Sequence, residues 1–542
     1  MRNWLWPVLL FVTVILCLAG MLPLTSGLAG FRADLAHRPV PLVRPASGPL
    51  ARSVYLVVID GLRYDTSQSA AMPFLQRLKK RAAWGRALAG LPSYSRPGYA
   101  RILTGAPSEL TGLVMNEQSE PCPVPTVFSL AREDGLVTAA SAHYWVRQLA
   151  DGPISGARSG RIAGRNIGHG YYYLEDDPDT RVFAAATEFI RIGSPNLLLV
   201  LPMSMDEAGH AHGGGSAVYR RSASAVDAIL EDFFRSLPGD DYLAIITADH
   251  GHRKTGGHGG RERSALEVPF LAFGRGVKPG RLDGVIDQLD IAPSIAAALG
   301  LPMAGTMGGR VLTEIFARED AARAAQEALA KAQAAYLEAN ADILGRHARA
   351  QDARFDRVWR GARRAALWRK ALWRLPIAIP LLAGAILACL AAVRAMRRRW
   401  PILAGLAYPL YFYALFRLVG YDYSYSAIVS AGDFVVKAVF AAVLALAILT
   451  WAGAALRGGK EPFFLPTALG ACIIQVVLTL AAWVVAGTAY RNFLPHLGWQ
   501  VFFMIQLLIT ALVAVYALAG WAIVGLFRRR AGIQTGHAVG AS

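Results

Sequence analysis

The sequence predicts an α/β domain with a mostly parallel central sheet, joined to an α-helical transmembrane region. Three observations predict it. Short apolar runs at 54–59, 197–202 and 242–247 alternate with stretches of helical spacing, the pattern that lays helices on both faces of a parallel sheet. Polar motifs stand directly after these runs, at the carboxyl edge where open α/β sheets bind ligands. The last third of the chain then carries five apolar runs of membrane-spanning length.

Taken in order, residues 4–25 form an apolar run preceded by Arg2, long enough to act as an anchor or signal segment within residues 1–28. A Pro- and Arg-containing linker is expected over 29–52 and a globular domain over 53–318. That domain opens with the strand 54–59, which ends at Asp60-Gly61. A helix at 73–83 and a short strand at 85–88 follow. The turn Ser93-Tyr94-Ser95-Arg96-Pro97-Gly98 leads into a helix with Pro97 in its first turn. Further helices are expected at 126–133, 182–192 and 219–234. The alanine-rich, proline-free stretch from 319 to 350 favours a long helix, and an Arg- and Trp-rich segment occupies 354–374. The spanning runs are 375–393, 401–420, 434–456, 463–486 and 499–527, followed by a tail at 528–542.

The formal net charge is +18, but many arginines, such as Arg394, Arg397, Arg398, Arg399 and Arg528 to Arg530, flank apolar runs. By the positive-inside trend these flanks are cytoplasmic. The chain is then an integral inner- or plasma-membrane protein whose 53–318 domain faces the extracytoplasmic (periplasmic) side. Segment 354–374 also falls outside, where a basic helix would rest on anionic headgroups of membrane lipids. No nucleic-acid partner is expected, because no nucleic-acid-binding motif accompanies the charge. Of the four cysteines only Cys122 lies in the globular part, so no disulfide staples it.

The chemistry collects around Asp249-His250-Gly251-His252 and Gly257-His258-Gly259, one carboxylate and three imidazoles separated by glycines after the strand at 242–247. Asp60 follows another strand, and Asp206 and His210 stand four residues apart after a third. Alone, each motif is commonplace. Their recurrence at the strand ends of one domain suits two divalent metal ions a few ångström apart. Ser95, at a helix N-terminus, is the candidate nucleophile, because free amides and the helix dipole favour an alkoxide and a bound phosphate.

These motifs, Ile59-Asp60-Gly61, Ser95-Arg96-Pro97-Gly98, Asp206-x-x-x-His210, Asp249-His250-Gly251 and Gly257-His258-Gly259, resemble those of the alkaline phosphatase superfamily. The resemblance is to its type I phosphodiesterase/nucleotide pyrophosphatase branch, and within it to the GPI ethanolamine-phosphate transferases, over roughly residues 53 to 310. It implies an alkaline-phosphatase-like sandwich and two metal sites, usually zinc. Asp60, Asp249, His250 and Ser95 would hold one ion, and Asp206, His210 and His258 the other. It also implies a phospho-serine intermediate, with Arg96 and Asn116 as substrate-binding candidates and a phosphodiester or phospholipid as substrate. Two departures stand out. Nucleotide pyrophosphatases carry Asn three residues after the nucleophile, where this chain has Gly98. His212 and His252 have no assigned counterpart and are expected outside the ligand set. A sulfatase would want Arg where Tyr99 stands. The resulting expectation is a transferase moving a phosphoethanolamine-type group on an envelope lipid or glycan, with a hydrolytic phosphodiesterase as runner-up, then a sulfatase, then a non-catalytic transporter or scaffold.

Overall fold

Five consecutive buried apolar residues, Val54–Val58, form β1 at the centre of the sheet. A strand buried on both faces needs no polar alternation, which is why the sequence pattern found it. The computed structural model describes residues 37–114, 116, 121–150, 169–174, 178–239, 241–345, 400–419 and 431–456, with isolated positions between 355 and 387 and between 467 and 478. The chain divides into two compact units, one over Phe31–Ala366 with Ser424–Ser426, the other over Met1–Gly30, Leu367–Tyr423 and Ala427–Ser542.

In the first unit eight strands make one mixed sheet. They are β1, β2 (Ala82–Leu88), β3 (Thr138–His143), β4 (His169–Leu174), β5 (Leu197–Val200), β6 (Leu243–Thr247), β7 (Glu267–Gly274) and β8 (Gly280–Asp287). Their spatial order is β4-β3-β5-β1-β6-β7-β2-β8. The run from β4 to β6 is wholly parallel, β7 is antiparallel to both β6 and β2, and β8 is parallel to β2. The carboxyl ends of β5, β1 and β6 therefore lie side by side on one edge, which brings residues 206, 60 and 249 into one neighbourhood.

The helices that matter for the site are α1 (Ser95–Thr104), α2 (Asp179–Gly193), α3 (Ser204–His212), α4 (Ala217–Ser236), α5 (Ile291–Leu299) and α6 (Glu319–Ala339). Strand β2 begins at Ala82, three residues before the sequence expectation, and β3, β4, β7 and β8 were not expected at all. Strand β3 reads Thr-Ala-Ala-Ser-Ala-His, a composition that favours helix, yet all six residues are buried between parallel neighbours. Strand β7 contains Pro269, which argues against an interior strand. Its pairing with β6 starts only at Phe270, so the proline lies just past that ladder. Helix α6 stops at Ala339, short of 350. Asn340 is fully buried and turns its amide onto the backbone of Arg38 and Tyr336. The alanine face of α6 (Ala322, Ala325, Leu329, Ala332) packs into the same core as the sheet, so this helix is part of the globular unit.

In the second unit, α7 (Trp400–Leu418) and α8 (Ala431–Ala455) match two expected spans. Tyr408, Phe412 and Phe416 pack on Ala438, Ala441, Ala442, Ala445 and Leu449, while Leu410, Leu418, Val436 and Trp451 stay exposed. Such outward apolar faces suit lipid. Among the described residues only Val436–Ala455 is long and apolar enough to cross a membrane, and 402–418 is shorter. The expected spans at 4–25 and 499–527, and most of 354–393 and 463–486, lie outside the described residues.

Candidate active site

The chain leaving β1 is pinned at its edge. Ile59 N–H donates to Thr247 O at 2.9 Å and Asp60 N–H to Pro202 O at 3.1 Å, which ties Asp60 to the ends of β6 and β5. Gly61 follows in the left-handed region (φ +73°), and its N–H donates to Asp249 Oδ1 at 3.1 Å. A Cβ there would sit 2.9 Å from the Asp206 backbone, so the close approach of the two carboxylates needs a glycine. Asp206 and His210 lie one turn apart on α3, hence on one face.

Ser95 is the first residue of α1, at the dipole's positive end. The helix lies against the β6 loop so closely that a Cβ on Gly98 would fall 2.9 Å from Asp249 Cβ and 3.0 Å from its carbonyl oxygen. An asparagine at this position has no room. Gly98→Ala should cost about 1–3 kcal/mol of stability and shift Ser95 away from its partners; thermal denaturation in excess chelator would measure the first effect free of metal.

His258 sits in a loop where Gly256, Gly257 and Gly259 all have positive φ. That loop is fastened to the nucleophile turn. His258 Nδ1 lies 2.8 Å from Ser93 O, and Gly259 N–H donates to Ser93 Oγ at 2.9 Å. The proton on Nδ1 leaves the Nε2 lone pair facing the site, the tautomer a metal ligand needs.

All seven sequence-derived residues converge. Ser95 Oγ is 3.1 Å from His250 Nε2. The same nitrogen has Asp249 Oδ2 at 3.3 Å, Asp60 Oδ1 at 3.5 Å and Asp206 Oδ1 at 4.0 Å. Beside this group, His210 Nε2 and His258 Nε2 face each other at 2.9 Å, each 3.5 Å from an Asp206 oxygen. The His250 and His258 rings stack at 3.7 Å between centroids. Asp206 thus belongs to both groups. The ligand candidates are buried except His210, whose side chain is 43% exposed and marks the open side.

Charge makes the case for cations. Asp60 Oδ1 and Asp249 Oδ2 are buried with no hydrogen-bond donor. Burial, then the neighbouring carboxylates, pushes the carboxyls of Asp60 and Asp249 well up. Burial likewise lowers the imidazoles of His250 and His210, and that of His258 to about 3. Asp206 is held low, against its own burial, by the hydrogen bond from His252. Neutral imidazole lone pairs and bare carboxylate oxygens aimed at one point repel unless a cation lies between them, and aspartate with histidine is a donor set suited to zinc. Cation binding must displace the carboxyl protons, so zinc affinity should rise with pH, with proton release measurable by calorimetry in buffers of differing ionisation heat.

Arg96 and Asn116 also meet. The Arg96 N–H donates to Asn116 Oδ1 at 3.0 Å, and its guanidinium reaches Gln148 Oε1. Two residues lay beyond the sequence argument. His252, set outside the ligand set with His212, is fully buried, and its Nε2 contacts Asp206 Oδ1 at 2.8 Å. Gly61, Gly209 and Gly214 leave the space its side chain fills. No local signal separates it from the exposed His212. The other is Tyr99, whose hydroxyl donates to Asp60 Oδ2. Its spacing of one helical turn from Ser95 was legible.

Residues 54–259 match the family model of type I phosphodiesterase / nucleotide pyrophosphatase. The relatives this chain resembles are more particular. GPI ethanolamine phosphate transferase 1 of Mus musculus is 25% identical over 328 residues, covering 50% of this chain and 34% of the relative. The human GPI ethanolamine phosphate transferase 2 catalytic subunit is 24% identical over 291 residues, covering 49% and 28%. The chain thus spans about a third of the length of the curated relatives it matches. Among solved structures, murine ectonucleotide pyrophosphatase / phosphodiesterase 5 aligns with a TM-score of 0.40 at 15% identity, covering 46% of this chain and 95% of that one.

Proposed function

We propose that this chain is a metal-dependent phosphotransferase of the alkaline phosphatase superfamily that moves a phosphoethanolamine-type group onto an envelope lipid or glycan. One observation carries the chemistry: Ser95 Oγ and three carboxylate oxygens surround the single nitrogen His250 Nε2 at the start of a helix. Asp60, Asp249, His250 and Ser95 would hold one ion, and Asp206, His210 and His258 a second, with zinc the expected metal. Such ions lower the pKa of a bound hydroxyl and neutralise charge on phosphoryl oxygens. Ser95 attacks the phosphorus of a phosphodiester; the new Ser Oγ–P bond forms as the P–O bond to the leaving alcohol breaks, and the alcohol takes up the proton. The acceptor hydroxyl then attacks the phospho-serine, giving up its proton and freeing Ser95. The positive end of the α1 dipole favours the phosphoryl group's negative charge beside Ser95, and Arg96 and Asn116 are the side chains proposed to orient it.

The similarity to GPI ethanolamine phosphate transferases supports ethanolamine phosphate as the transferred group. The apolar helix Val436–Ala455 supports a membrane setting, and the arginines flanking the apolar runs support an extracytoplasmic globular domain acting on a phospholipid-type donor. Hydrolysis is the second reading, favoured by the description of the family model. The absence of space for an asparagine at Gly98 speaks against a nucleotide substrate. Mass spectrometry of envelope lipids from wild-type and Ser95→Ala cells decides between them. A phosphoethanolamine-bearing species should vanish in the variant. Unchanged lipids, with purified wild-type protein still cleaving soluble diesters, would overturn transfer in favour of hydrolysis.

A further inference from the structure

Two carboxylates at the centre of the site share a pattern: one oxygen is held by a donor and the other is bare. For Asp249 the donor is the Gly61 main-chain amide. For Asp60 it is a side chain, the Tyr99 hydroxyl on Oδ2, while Oδ1 is buried without a donor and points to within 3.5 Å of His250 Nε2. Tyr99 is only 1% exposed and stands one turn after Ser95 on the same face of α1.

From this arrangement we infer that Tyr99 is a positioning residue that holds Asp60 so that Oδ1 alone is offered to the cation shared with Ser95 and His250. The inference rests on the two-metal reading above. A phenol bound to Oδ2 keeps the carboxylate from rotating to present both oxygens. It also compensates an anionic oxygen that water does not reach. Because Tyr99 and Ser95 ride on one helix, the nucleophile and the carboxylate that shares its cation keep a fixed relation. A buried tyrosine hydroxyl does need some partner, and Met203 Sδ, at 3.6 Å, is its other neighbour. A purely structural role would therefore alter stability and leave metal affinity untouched.

The test uses the full-length protein in detergent, with zinc itself as the probe, titrated against a chromophoric chelator. Wild type should bind two ions. Tyr99→Phe keeps the ring and removes the donor; the affinity of one site should fall about 10- to 100-fold, the usual effect of losing a hydrogen bond to a metal ligand, with the other site unchanged. Met203→Leu, which disturbs packing around Tyr99 and leaves the donor, should bind like wild type. In the cobalt-substituted protein, Tyr99→Phe should also weaken the visible absorption, as the freed carboxylate adds a second oxygen ligand. Tyr99→His, with a ring N–H donor, should recover part of the affinity; it serves as the comparison with Met203→Leu should the phenylalanine variant not fold. Unchanged affinity in Tyr99→Phe, an equal loss in Met203→Leu, or no recovery in Tyr99→His overturns the inference alone. Wild-type protein that binds no zinc overturns the two-metal reading and this inference with it.

Discussion

Ser95→Ala should reduce phosphodiester turnover on the order of 10⁴- to 10⁶-fold, the range found when one member of a nucleophilic unit is removed, while the protein still folds and still binds metal. The side chain is fully buried, with its Oγ 3.1 Å from His250 Nε2. Removing one oxygen leaves the carboxylates and imidazoles in place, so the loss is chemical. Rapid-quench labelling with a radiolabelled diester should trap phospho-serine in the wild type and none in the variant. A variant that retains turnover within about tenfold would transfer the role to a water molecule or another hydroxyl, and the nucleophile assignment would fail.

The second large effect belongs to Asp206. Its oxygens reach His252 at 2.8 Å, His210 and His258 at 3.5 Å, and His250 at 4.0 Å. It is therefore the anion both groups share. Asp206→Ala should lower zinc from about two ions per chain to below about one, because one site loses its only carboxylate and the other loses a nearby charge. His258→Ala should behave differently: its Nε2 faces His210 and Asp206, so one site should empty and the other remain at least partly filled. Metal analysis of the two variants side by side measures the division. Equal loss of both ions in His258→Ala would merge the two groups into one cluster.

Much of this site was legible because the sheet's geometry is simple. A buried parallel strand announces itself as an apolar run, and the chain leaving it arrives at the ligand edge; Asp60 and Asp249 follow from that, and Asp206 stands in the helix that β5 leads into. His210 follows from the helical repeat after Asp206, and Ser95 from a proline in the first turn of its helix. Strands β3 and β7 did not follow. Alanines and an interior proline give the wrong local preference, and only pairing to β5, β6 and β2 overrides it.

The sequence by itself determined the α/β class, the two helices that match expected spans, and the identities of the residues that meet at the edge of β1. The tertiary structure alone decided how those residues are shared. Asp206 serves both groups because glycines at 61 and 209 let β1, α3 and the β6 loop approach within the width of a side chain. His252 is buried beside it while His212, two residues past His210, is exposed. The physical reason is distance. Local preference and periodicity act over a few residues, whereas the charge and packing that hold Asp206 against His252, and Tyr99 against Asp60, join segments tens of residues apart that approach only when the sheet is assembled.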